Sequence, residues 1–244
     1  ELGIQPDQVG AVLITHEHSD HIKGLRVFLK KYPLPLYASE PVLEYLREHV
    51  ELPAGLPMYE ADPEGFCVGQ MMVRPFATSH DSVGSLGYRI SLPDGQELGF
   101  ATDLGCYTEA VEEGLRGCRT VMLESNYDDG MILVSDYPYY LKRRIQSRSG
   151  HLSNSDCAAA LPALAQNGTR NFVLGHLSQN NNLGLLAQQA SEQALLRQYR
   201  GLSLKGRETV RSVVDALCAY RDEVEETGPE KQEPRVIPLY RNPA

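Results

Sequence analysis

Three of the seven histidines fall within six residues: His16, His18 and His21, with Asp20 among them. Imidazole nitrogen and carboxylate oxygen are donors that a borderline divalent ion such as zinc accepts together, and a catalytic site keeps one position open for water. His16 and His18, two apart where an extended strand ends, can turn both rings to one side and hold one ion. Asp20 and His21, at a helix start, then face a second. Two such ions sharing a hydroxide would clamp the attacking and leaving oxygens of a displacement. The bland alternative is a polar strand-to-helix loop, against which the density of ligand types directly after an apolar strand argues. His80, His151 and His176 each sit just after or between predicted elements. His49, on a helix ahead of the Glu51-Leu52-Pro53 break, is assigned to structure.

Residues 9–15 (VGAVLIT) are an apolar, β-branched run, predicting a buried strand that stops at His16. Ser19 and Asp20 are capping residue types ahead of a helix over 22–29. A strand at 34–38, a helix at 41–50 and a β-rich stretch at 71–102 follow, the last with the turn Pro93-Asp94-Gly95. Strands at 121–124 and 171–174 then alternate with helices at 138–148, 153–166 and 183–200. This order predicts an α/β layered architecture of mixed sheets covered by helices, with 1–244 as one domain. The charged, Pro- and Gly-bearing segment 223–234 reads as a solvated loop, and 235–240 as a last edge strand.

Lys and Arg number 23 against 32 Asp and Glu, a formal charge of -9. That balance excludes a protein held on nucleic acid by its whole surface and leaves room for a local basic patch. The densest patch is Lys142, Arg143, Arg144 and Arg148, on the helix leading to Gly150 and His151. Its bland reading is one solvated helix face; its functional reading is a contact for phosphates. Tyr137, Tyr139 and Tyr140 precede it, as base-stacking surface or as core. Five scattered cysteines without a Cys-x-x-Cys indicate neither a disulfide framework nor a zinc knuckle, and a reducing cytoplasm is expected. No run of 18 apolar residues occurs.

The string Thr15-His16-Glu17-His18-Ser19-Asp20-His21 resembles the His-x-His-x-Asp-His signature of the metallo-β-lactamase superfamily. The resemblance implies a four-layer αββα sandwich. It also implies a ligand set in which His80 (ATSHDS), Asp103 (FATDLG) and His176 (VLGHLS) follow the first cluster. One ion would take His16, His18, His80 and Asp103, and the other Asp20, His21, Asp103 and His176, the metals being zinc or manganese. HSDHIKGL, ESNYD at 124–128 and SGHLSN at 149–154 narrow the likeness to the YycJ (WalJ) branch, associated with exonuclease action on DNA. The chain departs from that branch in having Tyr127 where a His is usual, and in lacking the strand pair before the first ligands, which implies that the first strands are missing.

His151 most favours phosphodiesters over lactams, because superfamily phosphodiesterases have a similar His outside the ligand set. It could protonate a leaving alkoxide or contact phosphate, oriented by Glu124 or Asp128. Asp20 and His151 are therefore the catalytic candidates. The expected activity is a binuclear DNA 5′ exonuclease using a metal-bridging hydroxide. A small-molecule cyclic phosphodiesterase, favoured by the acidic charge, and a catalytically silent binding module are the alternatives. The spacing of Asp103, His151 and His80 is too tight for the inserted domain of β-CASP nucleases or the arm of transfer-RNA processing enzymes.

Overall fold

The structure, a computed structural model, describes residues 5–199. The loop expected at 223–234, the edge strand expected at 235–240 and Cys218 lie outside them. The apolar run before the histidines forms β1 (Val12–Leu13), shorter than the expected 9–15. The reason is a change of partner: Ile14 N–H still donates to Tyr37, but the Thr15 carbonyl accepts from Leu86 in the other sheet. Next come α1 (Ser19–Ile22) and α2 (Leu25–Lys31), where one helix over 22–29 was expected, and Gly24 marks the break. His18, not Ser19 or Asp20, stands at the N-cap of α1, so Asp20 lies in the first turn.

β2 (Leu36–Ala38), α3 (Glu40–His49) and β3 (Met58–Glu60) complete a parallel sheet in the order β1-β2-β3. Val42, Leu43 and Leu46 recur at helical spacing and bury against Leu36 and Ala38, together with Leu25 and Leu29 of α2. Each buried leucine contributes roughly 1.5–3 kcal/mol.

A second sheet begins with β4 (Phe66–Val68), β5 (Met71–Ala77), β6 (Leu86–Ser91) and β7 (Glu97–Ala101), paired antiparallel in turn. The β6–β7 turn is the expected one: Gly95 takes φ 82° and the Asp94 carboxylate accepts from Gln96 N–H. α4 (Glu109–Leu115) then leads to β8 (Thr120–Glu124), which joins β7 in parallel. α5 (Asp129–Val134), α6 (Tyr139–Ile145) and α7 (Asn154–Gln166) intervene before β9 (Asn171–Gly175), parallel to β8, and α8 (Gly184–Tyr199) follows. α6 stops short of the expected 148 because the chain doubles back, His151 N–H donating to the Ile145 carbonyl.

Val111 and Leu115 of α4, Val121 and Leu123 of β8, and Leu161 and Leu164 of α7 share one core on the helix-covered face of this sheet. Between the sheets, Leu13 packs with Val73, Tyr88 and Ile90, and the Tyr88 hydroxyl donates to the Ile14 carbonyl at 2.6 Å. The sheets thus face one another with helices outside, the expected αββα layering. Among the described residues no helix is long and apolar enough to cross a membrane, and Cys67, Cys106, Cys118 and Cys157 are free thiols.

Candidate metal centre

The sheets deliver their histidines and acids to one place. His16 and His18 leave the end of β1, His80 the β5–β6 loop, Asp103 the end of β7 and His176 the end of β9. Three three-residue groups result among the described residues, His16, His18 and His80, then His16, His21 and Asp103, and then Asp20, His21 and His176, each offering ligand atoms within 4.8 Å of one another, and Asp103, Glu124, His151 and His176 form a further group of four. Asp103 belongs to two of these groups. Its Oδ1 is 3.4 Å from His176 Nε2 and 3.8 Å from His80 Nε2, and its Oδ2 is 3.3 Å from His21 Nε2.

Asp103 and His176 have positive φ, 56° and 55°, the left-handed conformation that costs a non-glycine residue about 1–3 kcal/mol and persists where its surroundings enforce it. Neither buried His16 Nε2 nor Asp103 Oδ2 has a hydrogen-bond partner. Buried polar atoms normally find one. Nitrogen and carboxylate donors left open at the centre of such a cluster are what divalent cations require, so the residues fit the implied metals.

Around this cluster the other ring nitrogens are engaged, which sets which nitrogen faces inward. The Thr15 hydroxyl lies 3.1 Å from His16 Nδ1 and 3.2 Å from His21 Nδ1. His80 Nδ1 donates to the Gly150 carbonyl at 2.9 Å, and His176 Nδ1 to Glu124 Oε1 at 2.7 Å. Glu124 is fully buried. The same Oε1 accepts from His151 Nδ1 at 2.8 Å, and Oε2 accepts from Leu104 and Leu152 N–H. His151 Nδ1 is also 3.8 Å from Asp103 Oδ1.

Burial, reinforced by the neighbouring imidazoles, lowers His16 to about 2, and burial likewise lowers His21 and His80 against the pull of Asp103. These rings are neutral at neutral pH, the form that ligates metal. For His151 and His176 burial works the same way, but the Glu124 hydrogen bonds and charge outweigh it, raising His151 and bringing His176 to about 9. Glu124 is in turn held below the ordinary carboxylate range by these two partners, despite its burial.

The structure gathers all seven expected ligands together with His151 and Glu124, and keeps His49 apart, stacked on Tyr45. Asp128 is a correction: its carboxylate accepts from Gly130 and Met131 N–H and caps α5, so it does not orient His151. Both roles place a carboxylate just before a helix, so the sequence could not separate them. Tyr127 is buried, its phenol pushed up to about 12 by burial.

The basic patch lies on α6 and the loop after it. Lys142 Nζ donates to the Leu133 carbonyl, Arg144 Nε to Asp81 Oδ2 at 2.6 Å, and Arg143 and Arg148 are exposed. Tyr139 and Tyr140 are exposed rather than core, and Tyr137 is half-buried with its hydroxyl accepting from Asn180. Sequence reading missed Thr15, Asp81 and Asn126, whose Nδ2 donates to the His176 carbonyl at 2.8 Å. Each adjoins a recognised motif residue, which was the available signal.

Residues 2–177 match the family model described as β-lactamase superfamily domain. The chain belongs to the metallo-β-lactamase superfamily. Within it, this metallo-β-lactamase-fold protein is YycJ/WalJ-like. It is 34% identical over 192 residues to exodeoxyribonuclease YycJ of Bacillus anthracis, covering 78% of this chain and 72% of that one. It is 33% identical over 191 residues to exodeoxyribonuclease WalJ of Streptococcus pneumoniae, covering 77% and 70%. The crystal structure of the metallo-β-lactamase fold protein YhfI from Bacillus subtilis superposes with a TM-score of 0.60 at 16% identity, over 79% of this chain and 73% of that one.

Proposed function

We propose that this protein is a binuclear metal-dependent phosphodiester hydrolase that degrades DNA from the 5′ end. The observation that carries the reading is His151, held by buried Glu124 beside Asp103. Phosphodiester cleavage expels an alkoxide, a poor leaving group that a proton donor fixed in that position assists. The names of the YycJ and WalJ relatives support DNA as the substrate.

His16, His18, His80 and Asp103 would hold one zinc or manganese ion, and Asp20, His21, Asp103 and His176 the other. When bound, the two ions would supply Lewis acidity to the phosphoryl group and acidify water. The chain's own residues do the rest. Asp103 spans both ligand groups and fixes their separation. Asp20, half exposed at the start of α1, is both ligand and the site's most solvent-facing carboxylate. His151 gives Nδ1–H to Glu124 and so keeps Nε2 for the substrate. Although burial works against it, Glu124 raises its pKa, favouring the protonated ring that can pass the Nε2 proton to the leaving oxygen. Lys142, Arg143, Arg144 and Arg148 neutralise backbone phosphates on the approach. Free thiols at Cys67, Cys106, Cys118 and Cys157 support a cytoplasmic setting.

The test is cleavage of 5′- and 3′-end-labelled single- and double-stranded DNA with manganese, zinc or magnesium, comparing wild type with His151→Ala. Mononucleotide release from the 5′ end, reduced at least a hundredfold in the variant with its metal content retained, is expected. Turnover of bis-p-nitrophenyl phosphate without any DNA cleavage overturns the nuclease reading in favour of a small-molecule phosphodiesterase.

A further inference from the structure

His151 and His176 each give Nδ1–H to the same oxygen of Glu124, Oε1, at 2.8 and 2.7 Å. One bond to a shared atom fixes a distance but lets a ring swing about it, so the backbones that carry the rings must be held as well. His151 precedes α7, whereas His176 follows β9 in a left-handed conformation.

The stretch directly after Glu124 holds both. Ser125 N–H donates to the Gly175 carbonyl, Asn126 Nδ2 to the His176 carbonyl and Ser178 N–H to the Asn126 carbonyl. The strained His176 is thus tied at the residue before it, at itself and two residues after it. On the other side, Asn126 N–H donates to the Leu152 carbonyl and Asn154 N–H to the Tyr127 carbonyl, tying down the chain that leaves His151.

A pair of buried amides locks this splint. Asn154 Nδ2 donates to Asn182 Oδ1 at 2.8 Å, and Asn182 Nδ2 donates back to Asn154 Oδ1 at 2.9 Å. Asn182 Nδ2 also reaches the Ser125 and Asn126 carbonyls at 2.7 and 3.0 Å, sharing two hydrogens among three acceptors. Ser125 Oγ donates to Asn154 Oδ1 at 2.7 Å, and Asn182 Oδ1 accepts from Leu183 N–H. Ser125, Asn126, Asn154 and Asn182 are all buried. A buried polar network rigidifies what it joins when every member is satisfied and destabilises when half made. Position 182 needs two N–H donors and a carbonyl acceptor on one short side chain; aspartate lacks the donors and glutamine is a methylene too long.

Resting on the binuclear nuclease reading above, we propose that Asn182 is a positioning residue for that reaction. Its hydrogen bonds reach neither histidine ring. Acting through Asn154 and through the carbonyls of Ser125 and Asn126, it sets how His151 and His176 sit about Glu124. The cations that meet the DNA backbone lie on α6 and the loop after it, outside this network, so the loss of Asn182 falls on kcat and on the ion assigned to His176, not on KM.

The test compares wild type with Asn182→Ala, with Ser125→Ala, which removes only the hydroxyl bond to Asn154, and with Leu195→Ala. Leu195 is a buried core residue of α8 outside the network and controls for lost stability. Three properties are read beside the urea midpoint: affinity for the second manganese ion by chelator competition, the Nδ1–H proton resonances of His151 and His176, and kcat and KM on DNA at saturating manganese. Asn182→Ala should lose about tenfold in second-ion affinity and in kcat, with KM unchanged and both resonances shifted. Ser125→Ala should move the same readouts in the same direction by less, and Leu195→Ala should lower only the urea midpoint. Matching behaviour of Asn182→Ala and Leu195→Ala in all three properties overturns the positioning role. If Asn182→Ala does not fold, wild-type resonances and kcat in Ser125→Ala overturn it. A wild type that binds two ions yet cuts no DNA overturns the nuclease reading instead, and the second-ion affinity and the resonances still decide whether Asn182 places the two histidines.

Discussion

Asp103 and His176 share a left-handed backbone, φ 56° and 55°, at the ends of the two strands that flank β8 on either side. Asparagine tolerates that conformation better than alanine. Asp103→Asn should therefore unfold in urea close to metal-free wild type, and Asp103→Ala about 1 kcal/mol earlier. Both should lose at least tenfold in metal affinity. Equal stability of the two variants would show that the strain is not borne there.

A Cβ on Gly150 would overlap the carbonyl oxygens of Arg144 and Ile145, closer than carbon and oxygen approach in folded proteins. Gly150 also accepts from His80 and precedes His151. Gly150→Ala should cost about 2 kcal/mol of stability, in the range of overpacked sites, and lower kcat at least tenfold. Urea midpoints and steady-state kinetics check both numbers.

The pH profile tests Glu124. It raises the pKa of His151, so the proton-donating form persists above the usual histidine range and is lost only as pH rises through that raised value. In Glu124→Gln the charge is gone, and the alkaline limb of kcat should move to lower pH. Activity at pH 8 should then fall more than activity at pH 6. An unmoved limb would remove His151 from the acid role.

Metal counting separates the two ligand groups. Wild type should hold two ions per chain after dialysis, His18→Ala and His176→Ala one each, and Asp103→Ala neither tightly. Elemental analysis reads this directly, and one ion in wild type would contradict the binuclear assignment.

The gathering of the candidate ligands was legible in the sequence because metal chemistry demands particular donors and a strand end brings them close together. His151 was legible for the same reason, standing in a short string between predicted elements. What escaped were residues whose meaning depends on contacts distant in sequence: Asp81 gains its place through Arg144, 63 positions away, and Asn126 through His176, 50 away. Asp128 shows the converse, a carboxylate whose local duty of capping α5 outcompeted the remote one assigned to it. The two-residue β1 and the Gly24 break were hidden because periodicity reports which face is buried, not where the chain changes partner.

His16, His18, Asp20 and His21 belong to the three-stranded sheet and its first helix, while His80, Asp103 and His176 belong to the six-stranded one. Bound ions would work as a clasp between two leaves that otherwise meet through Leu13, Tyr88 and their neighbours. Starving the protein of metal should then open the seam itself, exposing the β1 edge to proteases, so that an idle enzyme becomes a short-lived one and metal supply sets how much of it survives.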